Sequence, residues 1–295
     1  MPFDALPGPY AQQMAAHGYI PANHAAPNFE RVEVRELFDD RGVKLEGWRR
    51  IYNVDRGTTL HVATDKYQLI DNDTCYGLFE TALRDSDLDL TGMHIATDMS
   101  HGGGRTFRQY LLPAHNVPVK AGVDVALRII MLNSYDGSMA FRGLAGAFNF
   151  VCANTSIFGN KAADFTVKHL GRQDMQGLIG NLVSAAEGFT LEAEGMRRWP
   201  EIEVSDTKAM ALLRHVPAIS EAVYEHLTTQ WLRAAINEGE PNGGRNFWTL
   251  YNVLTAWATH GDARGANAAA TRFSRDGVVR RTLDAKPWKE AVLVD

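Results

Sequence analysis

Between positions 123 and 131 the chain reads VDVALRIIM, with Val123, Val125, Leu127, Ile129 and Met131 all apolar and Asp124 and Arg128 on alternate positions. A repeat of two predicts a β-strand with one buried face. RTFRQYLL, at 105–112, follows a triple glycine and predicts a second strand. The Asp136-Gly137 pair that follows the 123–131 run predicts a hairpin turn at Tyr135–Ser138. Strands near Met139–Leu144 and Ala147–Cys152 follow, with a bend or bulge at Gly143 and Gly146 between them. Earlier runs predict strands at Arg31–Leu37, Gly47–Val54 and Thr58–Thr64, with Gly42 and Gly57 in the gaps.

The apolar period changes to 3.6 in two places. Leu78, Phe79, Ala82 and Leu83 predict a helix over Asp73–Arg84, with Asp73 at its cap. From Asp174 onward Met175, Leu178, Ile179, Leu182, Val183, Ala186 and Phe189 hold the period until Pro200. Ser205 is placed to cap a further helix, Pro217 to interrupt it, and Ile219, Val223, Leu227 and Trp231 to continue. After the GEPNGG loop at 239–244, FWTLYNVLTAWATHG predicts a last clear helix ending at Gly261. Strands followed by helices predict an α+β fold: a curved antiparallel sheet in the N-terminal half packed with helices, and a helical C-terminal half. The organisation expected is an N-terminal arm (1–30), a sheet-rich core with one helix (31–172) and a helical region (173–295) packed on the same domain.

Composition adds boundaries. The 295 residues are 45% hydrophobic, enough for a buried core, and carry a net charge of −5. Two cysteines, Cys75 and Cys152, are too few for a disulfide scaffold and predict a reducing, cytoplasmic setting. The N-terminus is rich in proline and alanine, with neither a basic start nor an apolar core of a signal peptide. No apolar run approaches the roughly 18 residues of a membrane helix.

Candidate chemistry is sparse. HGGGR at 101–105 reads either as a hairpin turn or as an anion-contacting loop, and it lacks the phosphate-loop spacing. His94 and His101 with Asp98 would need a further ligand to hold a metal. Cys152 has no adjacent base and reads as a small buried hydrophobe. Charge is more informative: His101–Arg172 holds eight basic and three acidic side chains in an otherwise acidic protein. Cations interleaved with Phe107, Tyr110 and Phe141 suit a groove for a nucleic-acid backbone, or an ordinary solvated sheet face.

NSYDGSMAFR followed by FNFVCANT resembles the hallmark of the phage/plasmid-like protein family, domain of unknown function 932. Asn133, Ser134, Asp136, Gly137, Ser138, Arg142, Val151, Cys152 and Asn154 carry the match. Tyr135 stands where that family commonly has histidine, and Ala153 separates the cysteine from the asparagine. NFWTLYNVLTAWATH, with Trp248 and Asn252, and HVATDKYQLIDNDTCYGLFETAL extend the resemblance to about residues 45–262. The family is in turn distantly similar to single-strand annealing recombinases.

The resemblance implies an ATP-independent single-stranded DNA-binding and annealing protein of phage-type recombination. It would have no catalytic residues, cofactor or metal, and would form a ring or filament of identical subunits in a host cytoplasm. The strand would follow a groove lined by Arg105, Arg108, Arg128, Arg142, Lys161, Lys168 and Arg172. Arg142 would meet phosphate or pair with a carboxylate across the sheet, and Asn154 would cap the following turn or helix rather than contact DNA. The competing readings are a metal-dependent nuclease or hydrolase, and a non-enzymatic phage structural or host-interaction protein.

Overall fold

The computed structural model describes residues 14–22, 29–149, 154–157, 164–167, 169, 175–262 and 268–293. Strands come first and helices second, an α+β arrangement. Instead of one curved sheet there are two among the described residues. The smaller is an antiparallel meander, β2 (Val32–Phe38), β3 (Lys44–Asn53) and β4 (Thr58–Thr64), in the order β2-β3-β4. The larger contains β1 (Ile20–Pro21), β5 (His94–Ser100), β6 (Arg105–Lys120), β7 (Val123–Ser134), β8 (Phe141–Asn149) and β10 (Asp164–Val167) in the order β1-β5-β6-β7-β8-β10, and β9 (Thr155–Ile157) also pairs with β8.

The long central strands are buried on both faces, not the one that alternation in VDVALRIIM predicts. Val125, Leu127, Ile129 and Met131 face one way, and Ala126, Arg128, Ile130 and Leu132 face the other, all of them buried. The first face packs under α1 (Asn72–Arg84), α2 (Met175–Glu187) and α3 (Phe189–Gly195), with Cys75, Phe79, Ile179 and Phe189 in one core. Over the second face lie Met14 and Tyr19, which pack with Leu111, Ala126 and Phe148. Ile20 and Pro21 pair with Ile95 and His94, so the described part of the N-terminal segment is built into its own sheet. Phe273, on α7 (Ala268–Asp284), covers a further part of this face beside Ile130 and Leu132.

Gly143 and Gly146 mark no break. β8 pairs with β7 without a register shift from Arg142 to Asn149, so the two strands expected here are one, at least as far as the described residues run.

The helical half has its own core. A 3-10 turn (Met196–Glu201) contains Pro200, and α4 (Asp206–Arg214), α5 (Glu221–Ala235), α6 (Phe247–His260), α7 and α8 (Lys286–Val292) follow. Trp231, Phe247, Leu250 and Trp288 are fully buried between these helices. Ser205 caps α4 as the sequence predicts, its hydroxyl accepting from Lys208 N–H, and Gly261 closes α6. The helix over 73–84 starts one residue earlier than expected, because Asp71 is the cap, accepting from Thr74 N–H, and Asp73 lies in the first turn.

Two glycines dock the meander onto the large sheet. A Cβ on Gly103 would clash with the Glu30 carboxylate, and one on Gly137 would meet the His61 ring at 2.8 Å. Both have positive φ, 83° and 73°, which only glycine adopts without strain. The triple-glycine stretch is thus a hairpin turn pressed against a carboxylate, with Asn53 Nδ2 donating to Gly102 O at 3.0 Å.

The opening block of the resemblance sits at the centre of this assembly. Asn133 Nδ2 donates to Ile70 O (2.7 Å) and Asn72 Oδ1 (2.8 Å). Asn72 Nδ2 donates to Thr106 Oγ1 (2.9 Å), and Asn72 N–H donates to the Tyr135 hydroxyl (2.7 Å). Tyr135 is 1% exposed, so its hydroxyl satisfies a helix-terminal N–H that is shut off from solvent. Tyr135→Phe is expected to lower stability by about 1–2 kcal/mol with an unchanged denaturant slope. Urea unfolding followed by circular dichroism checks this, and an unchanged midpoint would show that the hydroxyl is not needed there.

Candidate nucleic-acid interface

Four of the seven basic residues named from sequence lie among the described residues, and Lys161, Lys168 and Arg172 lie outside them. Strand register brings Arg105, Arg128 and Arg142 to one face of the large sheet and puts Arg108 on the other. They do not line one open groove. Arg108 is 1% exposed. Its guanidinium donates to Glu80 Oε1 (2.9 Å) on α1 and to Thr97 Oγ1 (2.7 Å). Arg128 is 7% exposed, donates to Gln109 Oε1 and lies 3.5 Å from the buried Asp276 carboxylate on α7. Arg105 pairs with Asp136 at 2.5 Å across the turn. Arg142 sits beneath α7 with its guanidinium 5.4 Å from the Phe273 ring centre. Three of the four are thus engaged by carboxylates of this same chain.

The blocks that carry the resemblance are interior too. Asn154 Nδ2 donates to Asn252 O (3.1 Å) and Oδ1 (3.3 Å), and Asn149 Nδ2 donates to Asn252 Oδ1 (3.0 Å). Asn154 therefore ties the segment after β8 to α6 and does not cap a turn. Cys152 lies outside the described residues. His94 opens β5 and His101 lies just past its end, roughly 23 Å away along an extended strand. Their Nδ1 atoms engage Gly92 O and Ser100 Oγ. Among the described residues no group of three or more histidine, cysteine or acidic side chains is placed to hold a metal. None of the described helices is long and apolar enough to cross a membrane.

A solvent-facing combination of cations and rings occurs on the meander. Register places Arg35 opposite Arg50, Arg50 opposite Val62, Tyr52 opposite Glu33 and Trp48 opposite Thr64, all on one face. The opposite face holds Val32, Ile51, Asn53 and Ala63, which are buried. Arg35 and Arg50 both lie over the Tyr52 ring, at 4.1 and 4.8 Å from its centre. Arg35 also bonds Glu33 (2.9 Å), whereas Arg50 has no carboxylate partner among the described residues. Like charges directly opposite on a sheet repel, so the shared ring is what holds the two guanidinium groups together. Trp48 is 47% exposed beside them and Val62 is 41% exposed.

This face was missed from sequence, although a signal was present. In the strand expected at Gly47–Val54, Trp48, Arg50 and Tyr52 alternate, which puts one cation between two rings on the same side.

The fold and its sites define an α+β protein with asparagine-centred interior networks and a separate cation–aromatic surface. A family model, domain of unknown function (DUF932), matches residues 59–285, and the chain belongs to that family. No solved structure matches the chain.

Two predictions separate interior cations from surface ones. Arg108→Ala removes the cation paired with the Glu80 carboxylate, leaving it the Tyr110 hydroxyl, and is expected to cost on the order of 3 kcal/mol, while Arg35→Ala changes stability by less than about 1 kcal/mol. Thermal unfolding of both variants checks the contrast, and equal melting temperatures would refute it. Burial pushes the Asp136 carboxyl up, but Ser138 and the Arg105 guanidinium outweigh this and hold it below the ordinary carboxylate value. A depressed folded value stabilises above the unfolded pKa of about 3.9 and is lost as pH falls through the folded one. The stability gap between the wild type and Asp136→Asn is therefore expected to shrink between pH 6 and pH 3 in urea titrations; a constant gap would contradict the pairing.

Proposed function

We propose that this protein binds single-stranded nucleic acid on the outer face of the meander and serves as an ATP-independent annealing protein. The observation that carries this reading is the pair of arginines stacked on Tyr52 beside the exposed Trp48. Single strands are held without sequence preference where cations track the phosphates and aromatic faces stack the bases. Arg50 supplies the cation, Trp48 the free ring, and Arg35 with Tyr52 the rigid support. Stacking from one side leaves the Watson–Crick edges open, as pairing with a second strand requires.

The meander also supports self-association. β2 and β4 are its two edges, and Val34 on β2 and Phe38 at its end are 41% and 50% exposed. Unpaired edges of this kind accept a further strand. A second copy added there would lengthen the platform into a track, in keeping with a ring or filament.

Trp48→Ala and Arg50→Ala are each expected to weaken binding of a labelled single-stranded oligonucleotide about tenfold, since stacking of one base contributes about 1–3 kcal/mol. Arg50→Ala should also make the salt slope shallower by about 0.7 for each phosphate it no longer neutralises. Fluorescence anisotropy at two salt concentrations measures both effects. Wild-type affinity in both variants, or no strand binding by folded protein, sinks the proposal and leaves the exposed apolar edge as a protein-docking surface.

A further inference from the structure

Two cavities flank the C-terminal end of α6, and His260, Gly261 and Asp262 form a wall common to both. One, of about 710 Å³, lies between α5 and α6, with Ala222, Val223 and Val253 among its apolar walls. The side-chain amides of Asn154, Gln230, Asn242 and Asn252 also line it. The other, of about 480 Å³, lies between the N-terminal segment, the large sheet and α7, where Arg128, Arg272, His17 and His260 converge. Both volumes are in the range of small-ligand sites.

A buried orphan acceptor lies beside the first compartment. Asn154 is 4% exposed, and its Oδ1 is buried without a hydrogen-bond partner. Its amide orientation is determined, because Nδ2 faces the Asn252 backbone carbonyl, which accepts only. A buried acceptor left without a donor is unfavourable, and this one is shut off from the cavity as well as from solvent.

The second compartment brings two arginines and two histidines together. The His17 and His260 ring centres are 5.6 Å apart. His17 is held below the ordinary imidazole value by burial and by the nearby His260, Arg272 and Arg128. Arg128 is already engaged by Gln109 and Asp276, whereas Arg272 is exposed at the mouth. The one carboxylate among the described lining residues of either cavity is Asp262, at their junction.

We propose that this cleft binds a nucleoside monophosphate unit. The base lies in the amide-bearing compartment, edged by the side chains of Gln230 and Asn242. The sugar hydroxyls meet Asp262, and the phosphate lies against Arg272, beside the His17 ring and the paired Arg128. An apolar pocket with amide edges suits a flat heterocycle. A carboxylate one compartment away suits vicinal hydroxyls, and the cations beyond it suit a phosphate. The site is separate from the meander and does not depend on strand binding there.

The test uses the full chain and four 5′-mononucleotides, followed by intrinsic tryptophan fluorescence and by ligand-observed NMR, with inorganic phosphate and the matching nucleosides as controls. Expected are binding of at least one mononucleotide at submillimolar concentration and at least tenfold weaker binding of its nucleoside. Arg272→Glu, an exposed change, is expected to weaken the nucleotide at least tenfold and leave the nucleoside unaffected. Absence of mononucleotide binding, or equal affinity in Arg272→Glu, overturns the proposal.

The phosphate-bearing unit has two possible sources, a free nucleotide and a strand end. Oligonucleotides with and without a terminal phosphate, tested in Trp48→Ala, distinguish them: a terminal-phosphate preference of tenfold or more over the mononucleotide assigns a strand end, and its absence a free nucleotide. Trp48→Ala retaining mononucleotide affinity keeps the cleft standing if the platform fails. Loss of both ligands in Trp48→Ala would contradict two separate sites.

Discussion

The side-chain amide of Asn72 is held on both sides, by Asn133 and by Thr106, while its backbone N–H is held by Tyr135. These bonds join the start of α1 to β6, β7 and the turn beyond β7 in one buried place. Removing any one partner would leave a polar group in the interior without water, and such groups cost more than the bond itself contributes. The direction of α1 follows from this anchor. With the helix start fixed, Phe79 and Leu83 drop onto the sheet and Glu80 reaches Arg108. Asn252 plays the matching part in the helical half, where it receives Asn149 and Asn154. The asparagines that crowd the hallmark blocks are therefore junctions between segments distant in sequence.

That explains which parts of the fold were legible. Alternation and 3.6 periodicity report how one segment meets its immediate cover, and they placed β4, β7, α6 and the cap at Ser205 close to where they lie. They do not report how many layers cover a strand. Arg128 on the polar side of VDVALRIIM looked solvated because nothing local shows Asp276, 148 residues later, arriving on α7. Arg108 looked exposed for the same reason, with Glu80 on a helix 28 residues earlier. A buried arginine with a remote partner has the same local pattern as a surface arginine. Gly143 and Gly146 misled in the opposite direction: glycine in a strand marks a bulge or a close approach, and sequence does not distinguish the two.

Net charge is a poor guide to the binding surface in such a protein. The eight cations of the central segment suggest a groove only while their partners are unknown. With Arg105, Arg108 and Arg128 engaged by Asp136, Glu80 and Asp276, their fields are largely cancelled at short range. The charge left available for binding is what has no such partner, and on the meander Arg50, stacked on a ring, is one such group among the described residues. An acidic total is compatible with a local cationic surface, because potential depends on where charges lie.

The family match begins at residue 59, beyond β2 and β3. It covers Asn72, Asn133, Asn154 and Asn252, as well as most of the cleft at the end of α6, but not Arg35, Trp48, Arg50 or Tyr52. The interior networks and the proposed platform therefore belong to different parts of the chain. The meander is joined to the rest through the packing of Val32 and Ile51 on Tyr135, the glycine contacts at Gly103 and Gly137 and the bond from Asn53 to Gly102. Side chains on its outer face touch none of these joints. A face supported by packed residues on one side and open on the other can change its charges and rings without disturbing the asparagine junctions. The stability of this fold and the chemistry of its surface are thus carried by separate residues.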